Sequence, residues 1–120
     1  MITLKIDIKV KSWNQIACKH YRVYKAAADE AKLATLAAIN KAKLKPITIF
    51  PIKVHFHAQW KGNKRRDIDA LYCKAILDQL VISKILPDDS LEYVELVTYT
   101  GETKAPKDYL IVQIAPMSEV

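Results

Sequence analysis

A small single-domain α/β fold is predicted, with elements in the order β-α-β-α-β-β and a mixed or antiparallel sheet packed with helices. Three observations carry that expectation. Apolar and polar residues alternate with period two over Leu4–Lys11 and over Ile52–Lys61, the pattern of half-buried strands. The stretch between them, from Gln15 to Lys43, is Ala-rich and holds neither Gly nor Pro, which suits helix. The chain has 120 residues, 51% of them apolar, enough for one compact domain and too few for a second. A core of this size leaves little stability to spare, so a face buried on a partner subunit would help.

The elements follow in order. Leu4, Ile6, Ile8 and Val10 alternate with Lys5, Asp7, Lys9 and Lys11 in the first strand. Ser12-Trp13-Asn14-Gln15 has turn and cap chemistry, since short polar side chains compete for backbone groups there. One long helix or two joined ones should then run to Lys43, and Pro46 marks a break because proline removes a donor. In the second strand Ile52, Val54, Phe56, Ala58 and Trp60 share one face, and Lys53, His55, His57, Gln59 and Lys61 the other. A helix is expected from about Asp69 to Ser83, capped by Asp69, with Cys73, Ile76, Leu77, Leu80 and Val81 as its apolar stripe. Pro87-Asp88-Asp89-Ser90 reads as a turn. Two strands near Val94–Thr100 and Tyr109–Ile114 close the domain, joined by a hairpin loop over Gly101–Lys107.

Charge and cysteine content narrow the function classes. Nineteen Lys and Arg against thirteen Asp and Glu give a formal net charge of +6. That balance favours an anionic partner such as nucleic acid or an acidic membrane surface. Cys18 and Cys73 form no CxxC metal pair and no secreted disulfide framework; both read as buried small apolar groups. MITLKIDIKV alternates and lacks a signal-peptide core. No stretch approaches the roughly 18 apolar residues of a membrane span. The expected setting is intracellular, reducing and cytoplasmic, with no membrane partner and no small-molecule substrate.

The chemistry concentrates in KGNKRRDIDALYCKAILDQL and the following LPDDS. Asp67 and Asp69 are two apart, so extended backbone points both at one side. Paired hard oxygen ligands suit Mg²⁺, which keeps several waters and takes substrate phosphate oxygens as well. If the chain reverses after Pro87, Asp88 or Asp89 returns toward that pair. Such an ion assists phosphodiester hydrolysis by polarising a phosphoryl oxygen and helping to generate hydroxide. A nearby cation, for which Lys74 is the candidate, stabilises developing charge. Lys61, Lys64, Arg65 and Arg66 would hold a DNA backbone. Each feature has a plainer explanation: Asp69 as a helix cap, Asp88-Asp89 as ordinary turn composition, Lys74 and Asp78 as an exposed i,i+4 pair, and the basic run as a solvated loop.

The segment KRRDIDALYCKAILDQLVISKILPDDS resembles the core signature of the RusA family of Holliday junction resolvases. That signature runs basic residues, D-x-D-N, a helix with a lysine four before an aspartate, and a D-D turn. SWNQIACKHYRVYK resembles, more loosely, the family's Asn-containing turn and basic first helix. The resemblance implies that Asp67, Asp69 and Asp89 are metal ligands, that Asp88 is a less critical neighbour, and that Lys74 is the active-site lysine. It implies a homodimer that resolves four-way DNA junctions in recombination and repair, using Mg²⁺, with Mn²⁺ a substitute, and leaving 5′-phosphate and 3′-hydroxyl ends. A nucleoid-associated location follows from that activity. A C₂ dimer matches the two-fold symmetry of a junction whose two opposed strands must both be cut. Two departures stand out. The family's Asn is Ala70 here, and Lys74 follows Asp69 by five residues rather than four, with Cys73 at the shorter spacing.

Lys19, Arg22 and Lys25 recur every three residues as a candidate backbone-binding stripe on the first helix. His55-x-His57 can bind zinc in principle but has no evident third ligand; a polar or DNA-facing surface is the simpler reading. Tyr21 and Tyr24 are expected mainly in the core, with base stacking the sharper alternative; Asp7 and Glu92 are expected as surface carboxylates, with further metal ligands the sharper alternative. The competing function is a non-catalytic basic DNA- or RNA-binding protein of the same fold.

Overall fold

The computed structural model describes residues 1–12, 20–68 and 71–118. Their elements are β1 (Ile2–Ile6), α1 (Tyr21–Ala42), β2 (Ile52–Gln59), α2 (Lys74–Ile82), β3 (Val94–Glu102) and β4 (Tyr109–Pro116). Among the described residues they build a small α/β domain with one four-stranded mixed sheet and two helices.

The sheet order is β1-β4-β2-β3. β4 runs antiparallel to both β1 and β2, and β3 runs parallel to β2. Alternation decides which side of β2 is buried. Ile52, Val54, Phe56 and Ala58 are inaccessible to solvent, while Lys53, His55, His57 and Gln59 are half-buried. Leu4 and Ile6 of β1 and Leu110, Val112 and Ile114 of β4 join the buried side. The helices complete this core with Ala27, Ala31 and Ile39 from α1 and Ala75, Ile76 and Leu80 from α2. Alanines on α1 let its backbone approach β1 and α2 closely. Thr35, wholly buried on the same helix, donates its hydroxyl to the Ala31 carbonyl at 2.7 Å, so no polar group is stranded there.

The hairpin expected at Gly101–Lys107 does not form, because β3 and β4 flank β2 on opposite sides. β2 is a central strand, hydrogen-bonded along one edge by β3 and along the other by β4. Their connection therefore crosses the end of β2. There the Lys104 N–H donates to the Gly62 carbonyl (2.9 Å) and the Ala105 N–H to the Trp60 carbonyl (3.0 Å). The Lys61 N–H donates to Asp108 Oδ1 at 2.9 Å. At Gly101 an added Cβ would lie 2.9 Å from Trp60 Cζ3 and 3.0 Å from Ile68 Cδ1, so the missing side chain is what lets the indole pack across β3.

The first helix is shorter than Gln15–Lys43 among the described residues, since residues 13–19 lie outside them. It is capped at His20, whose Nδ1 accepts from the Arg22 N–H at 3.1 Å. It ends on Lys43 in the left-handed region, φ 52°, a common way to satisfy the last carbonyls. The second helix begins at Lys74, five residues after the expected cap. Leu71 and Tyr72 are 5% exposed and lie against the segment after β1: Ser12 pairs with Leu71, and the Tyr72 N–H donates to the Lys11 carbonyl at 2.8 Å. That pairing holds the backbone extended and delays the helix. Cys73 takes the cap position without a side-chain cap bond, so Asp69 is not the cap, and Asp69 itself is outside the described residues. Tyr21, expected in the core, is 68% exposed. Tyr24 is half-buried, edge-on to Tyr72 at 6.1 Å.

The other side of the sheet carries a polar ladder. His55 Nδ1 and Nε2 contact the hydroxyls of Thr98 (2.6 Å) and Thr100 (2.7 Å). His57 Nδ1 contacts Thr100 at 2.6 Å, and its Nε2 lies 3.4 Å from Glu102. Partial burial, and secondarily the neighbouring His57, hold the His55 pKa below its ordinary 6.5. The folded state therefore binds fewer protons than the unfolded chain as pH falls. Stability contributed by neutral His55 is present above pH 6.5 and lost as pH drops through the lower folded value. We expect the melting temperature to fall less between pH 7 and 5 in His55→Gln than in the parent chain. Parallel pH–melting curves would refute this.

Candidate active site

One loop and one helix end meet at the site. α2 ends at Ser83, and Lys84 adopts φ 61°. The N–H groups of Ile85 and Leu86 both donate to the Leu80 carbonyl, at 2.9 and 3.3 Å. Both side chains are buried, at 3% and 1% exposure, which anchors the chain as it reverses. The reversal carries Asp89 back to the start of the helix. Lys74 Nζ lies 3.4 Å from Asp78 Oδ1, one turn along α2, and 3.9 Å from Asp89 Oδ2. The Lys74–Asp78 pair is thus the i,i+4 contact that the spacing allows. It is half-exposed, with Lys preceding Asp, and adds at most about 1 kcal/mol to stability. The Asp89 contact is the more informative of the two, because it joins residues from separate stretches.

Asp67 is exposed and directly follows the basic loop. Asp69, its expected co-ligand, lies outside the described residues. Among the described residues no group of three or more His, Cys, Asp or Glu is arranged around one ion. Two of the three expected ligands, Asp67 and Asp89, are described. They are solvent-facing carboxylates, a donor type that suits a hydrated hard cation. Asp88 is exposed as well.

The basic loop divides into two kinds of cation. Lys61, Lys64 and Arg65 are exposed. Arg66 is half-buried, with its guanidinium carbon 5.1 Å from the Trp60 ring centroid. Trp60 is itself fixed, its Nε1–H donating to the Val10 carbonyl at 3.1 Å. On α1, Arg22 is exposed, and Lys25 is paired with Asp29 at 2.9 Å. Lys19 lies outside the described residues, so of the expected stripe Arg22 is the member presented without an acidic partner among the described residues.

Cys73, beside Lys74, is 2% exposed, and burial pushes its thiol up to about 12. It is a packed apolar group rather than a nucleophile; Cys18 is outside the described residues. His55 and His57 spend their ring nitrogens on threonine hydroxyls and Glu102, as expected of a polar sheet face. One residue that the sequence reading passed over stands out: Tyr99 on β3, stacked on Phe56 at 5.6 Å and 18°. Reading β3 with period two would have placed it on the side of Val97, facing the helices.

No helix among the described residues is long and apolar enough to cross a membrane. Compared with models of known protein families and with the sequences of characterised proteins, the chain matches none.

Proposed function

We propose that this protein is a magnesium-dependent endodeoxyribonuclease that cuts four-way DNA junctions as a homodimer. The observation that carries the reading is the return of Asp89 to Lys74 across the full length of α2, at 3.9 Å. A purely structural turn at Pro87–Ser90 has no need to bring a carboxylate onto the one lysine of the neighbouring helix. A DNA-binding surface alone gains nothing from carboxylates beside its phosphate contacts.

Asp67, Asp69 and Asp89 would hold the ion. When bound, it supplies Lewis-acid polarisation of a phosphoryl oxygen and a more acidic water. The chain's own groups do the rest. Asp78 anchors the Lys74 amine from within the helix, so the lysine keeps its place when Asp89 turns to another cation. Held there, the lysine stabilises negative charge that develops on the phosphate. Lys61, Lys64 and Arg65, exposed on the loop before Asp67, bind backbone phosphates without reading sequence. The start of the basic loop is held to the β3–β4 connection, where Lys104 and Ala105 donate to the Gly62 and Trp60 carbonyls.

A homodimer suits both the substrate and the fold. Two copies related by a two-fold axis offer one site to each of the opposed strands. The sheet face bearing His55, Thr98 and Gln113 is left uncovered by the helices and is available to a second copy.

The test is metal removal. A synthetic junction and a linear duplex are each incubated with the protein in Mg²⁺, in Mn²⁺ and in EDTA. Symmetric nicking of the junction alone, supported by either cation and lost in EDTA, is the expected result. Tight binding without cleavage in any metal would replace the nuclease with a non-catalytic DNA-binding protein.

A further inference from the structure

A second feature lies beside the candidate active site. The end of β2, the basic loop and the end of β3 enclose an open cleft of about 670 Å³. Lys64, Arg65, Arg66 and Tyr99 line it, with Trp60 and Gly101 at its base. Two observations indicate what it takes. The first is Tyr99, which is 39% exposed although it belongs to the helix-facing side of β3. One face of its ring is covered by Phe56, stacked nearly parallel at 18°. Phe56 is wholly buried, so the phenol is a rigid plate with its free surface toward the cleft. The second is Arg66. Its Nε is buried and has no hydrogen-bond acceptor among the described residues, while its guanidinium rests over Trp60. A buried donor without an acceptor is rare and calls for an explanation. A guanidinium already held on an aromatic ring loses little freedom when it binds a phosphate.

We infer that this cleft holds an unpaired deoxynucleotide of the bound strand, its base stacked on Tyr99 and its phosphate held by Arg66. The inference rests on the DNA-binding part of the function proposed above and not on cleavage. Aromatic plates take bases of any sequence because each has a π-face, and flanking cations track the backbone. A base within a duplex is already stacked on both sides, so the cleft favours strands opened at a branch. Glu102, the carboxylate at the rim, does not oppose an anion freely. Its Oε1 accepts from Gln59 at 2.6 Å on the other side of the sheet. Partial burial, and secondarily Cys73, hold the Tyr99 phenol above its ordinary value, so it stays neutral beside phosphate.

The unaltered protein is tested first, in EDTA so that turnover plays no part. A single-stranded oligothymidylate carrying iododeoxyuridine is bound and irradiated, and the cross-linked residue is identified by mass spectrometry. Attachment at Tyr99 is expected; attachment only elsewhere overturns the inference. Titration with an aminopurine-labelled strand gives the second measurement. Tyr99→Phe should bind as the parent does, and Tyr99→Leu about tenfold more weakly, the scale of one lost base stack. Arg66→Gln should flatten the dependence of log Kd on log salt by about 1. A folded Tyr99→Leu protein with parental affinity and quenching would also overturn it. Nicking of junctions alongside unchanged Tyr99→Leu binding sinks this inference alone. Cross-linking at Tyr99 without nicking in any metal sinks the nuclease and leaves the cleft.

Discussion

Asp89→Asn is expected to slow metal-dependent junction cleavage on the order of 10²–10³-fold, the scale of removing one preorganised electrostatic contact from a transition state. The substitution keeps the shape of the side chain and removes its charge. Lys74 retains Asp78 at 3.4 Å, so the lysine is not released and the loss reports the carboxylate itself. Asp89 lies on an exposed turn, so the fold should be untouched, and junction affinity in EDTA should match the parent. Asp69→Asn should behave in the same way. Asp88→Asn, one residue away and also exposed, is the control and should cleave within about threefold of the parent, as surface changes outside a site usually do. The measurement is single-turnover cleavage of a labelled junction at saturating protein. Equal rates for Asp89→Asn and Asp88→Asn would remove Asp89 from the chemistry and leave its contact with Lys74 as a surface ion pair.

The largest expected effect on stability is at Phe56. It occupies the middle of β2, between β4 and β3, and is wholly buried. Its ring stacks on Tyr99 at 5.6 Å. Phe56→Ala removes that contact and opens a cavity on the helix-facing side of the sheet, which β2 cannot move to fill because both its edges are hydrogen-bonded. The loss should be about 3–5 kcal/mol, a large share of the roughly 5–15 kcal/mol that holds a domain folded. In urea unfolding, the midpoint should fall sharply while the slope stays near that of the parent. Leu91→Ala, at a side chain 75% exposed, should shift stability by no more than about 0.5 kcal/mol. A Phe56→Ala midpoint close to that control would mean that β2 is not the centre of the core.

Some of this architecture is legible in the sequence. The β2 alternation named its buried side correctly from Ile52 to Trp60, because successive side chains on a strand must point to opposite faces. The Ala-rich, Gly-free stretch announced α1. A reversal after Pro87 toward Asp67 and Asp69 is one expectation; the chain turns earlier, at Lys84–Leu86, and brings Asp89 to Lys74. The start of α2 was misjudged. Local propensity favoured a helix from Asp69, but burial of Leu71 and Tyr72 against Lys11 and Ser12 outweighed it, and nothing near residue 70 in the sequence reports a partner nearly 60 positions away. The β3–β4 hairpin failed for the same reason. Turn residues at Gly101–Lys107 permit a hairpin but do not exclude a third strand lying between its arms. The candidate site divides similarly. The acidic and basic residues, Arg66 among them, stood out by their spacing, whereas Tyr99 and the packing of Arg66 over Trp60 did not.

From sequence alone came the periodicities, and with them the identity of strands and helices and the side that β1 and β2 bury, because those depend on neighbours a few residues apart. The strand order β1-β4-β2-β3, the crossing that holds the start of the basic loop, and the meeting of Lys74 with Asp89 belong to the folded chain only. They depend on contacts between distant segments, whose energies are settled by which surfaces fill the core together. A carboxylate brought to a lysine by that packing is what turns a conspicuous motif into a site that can be tested.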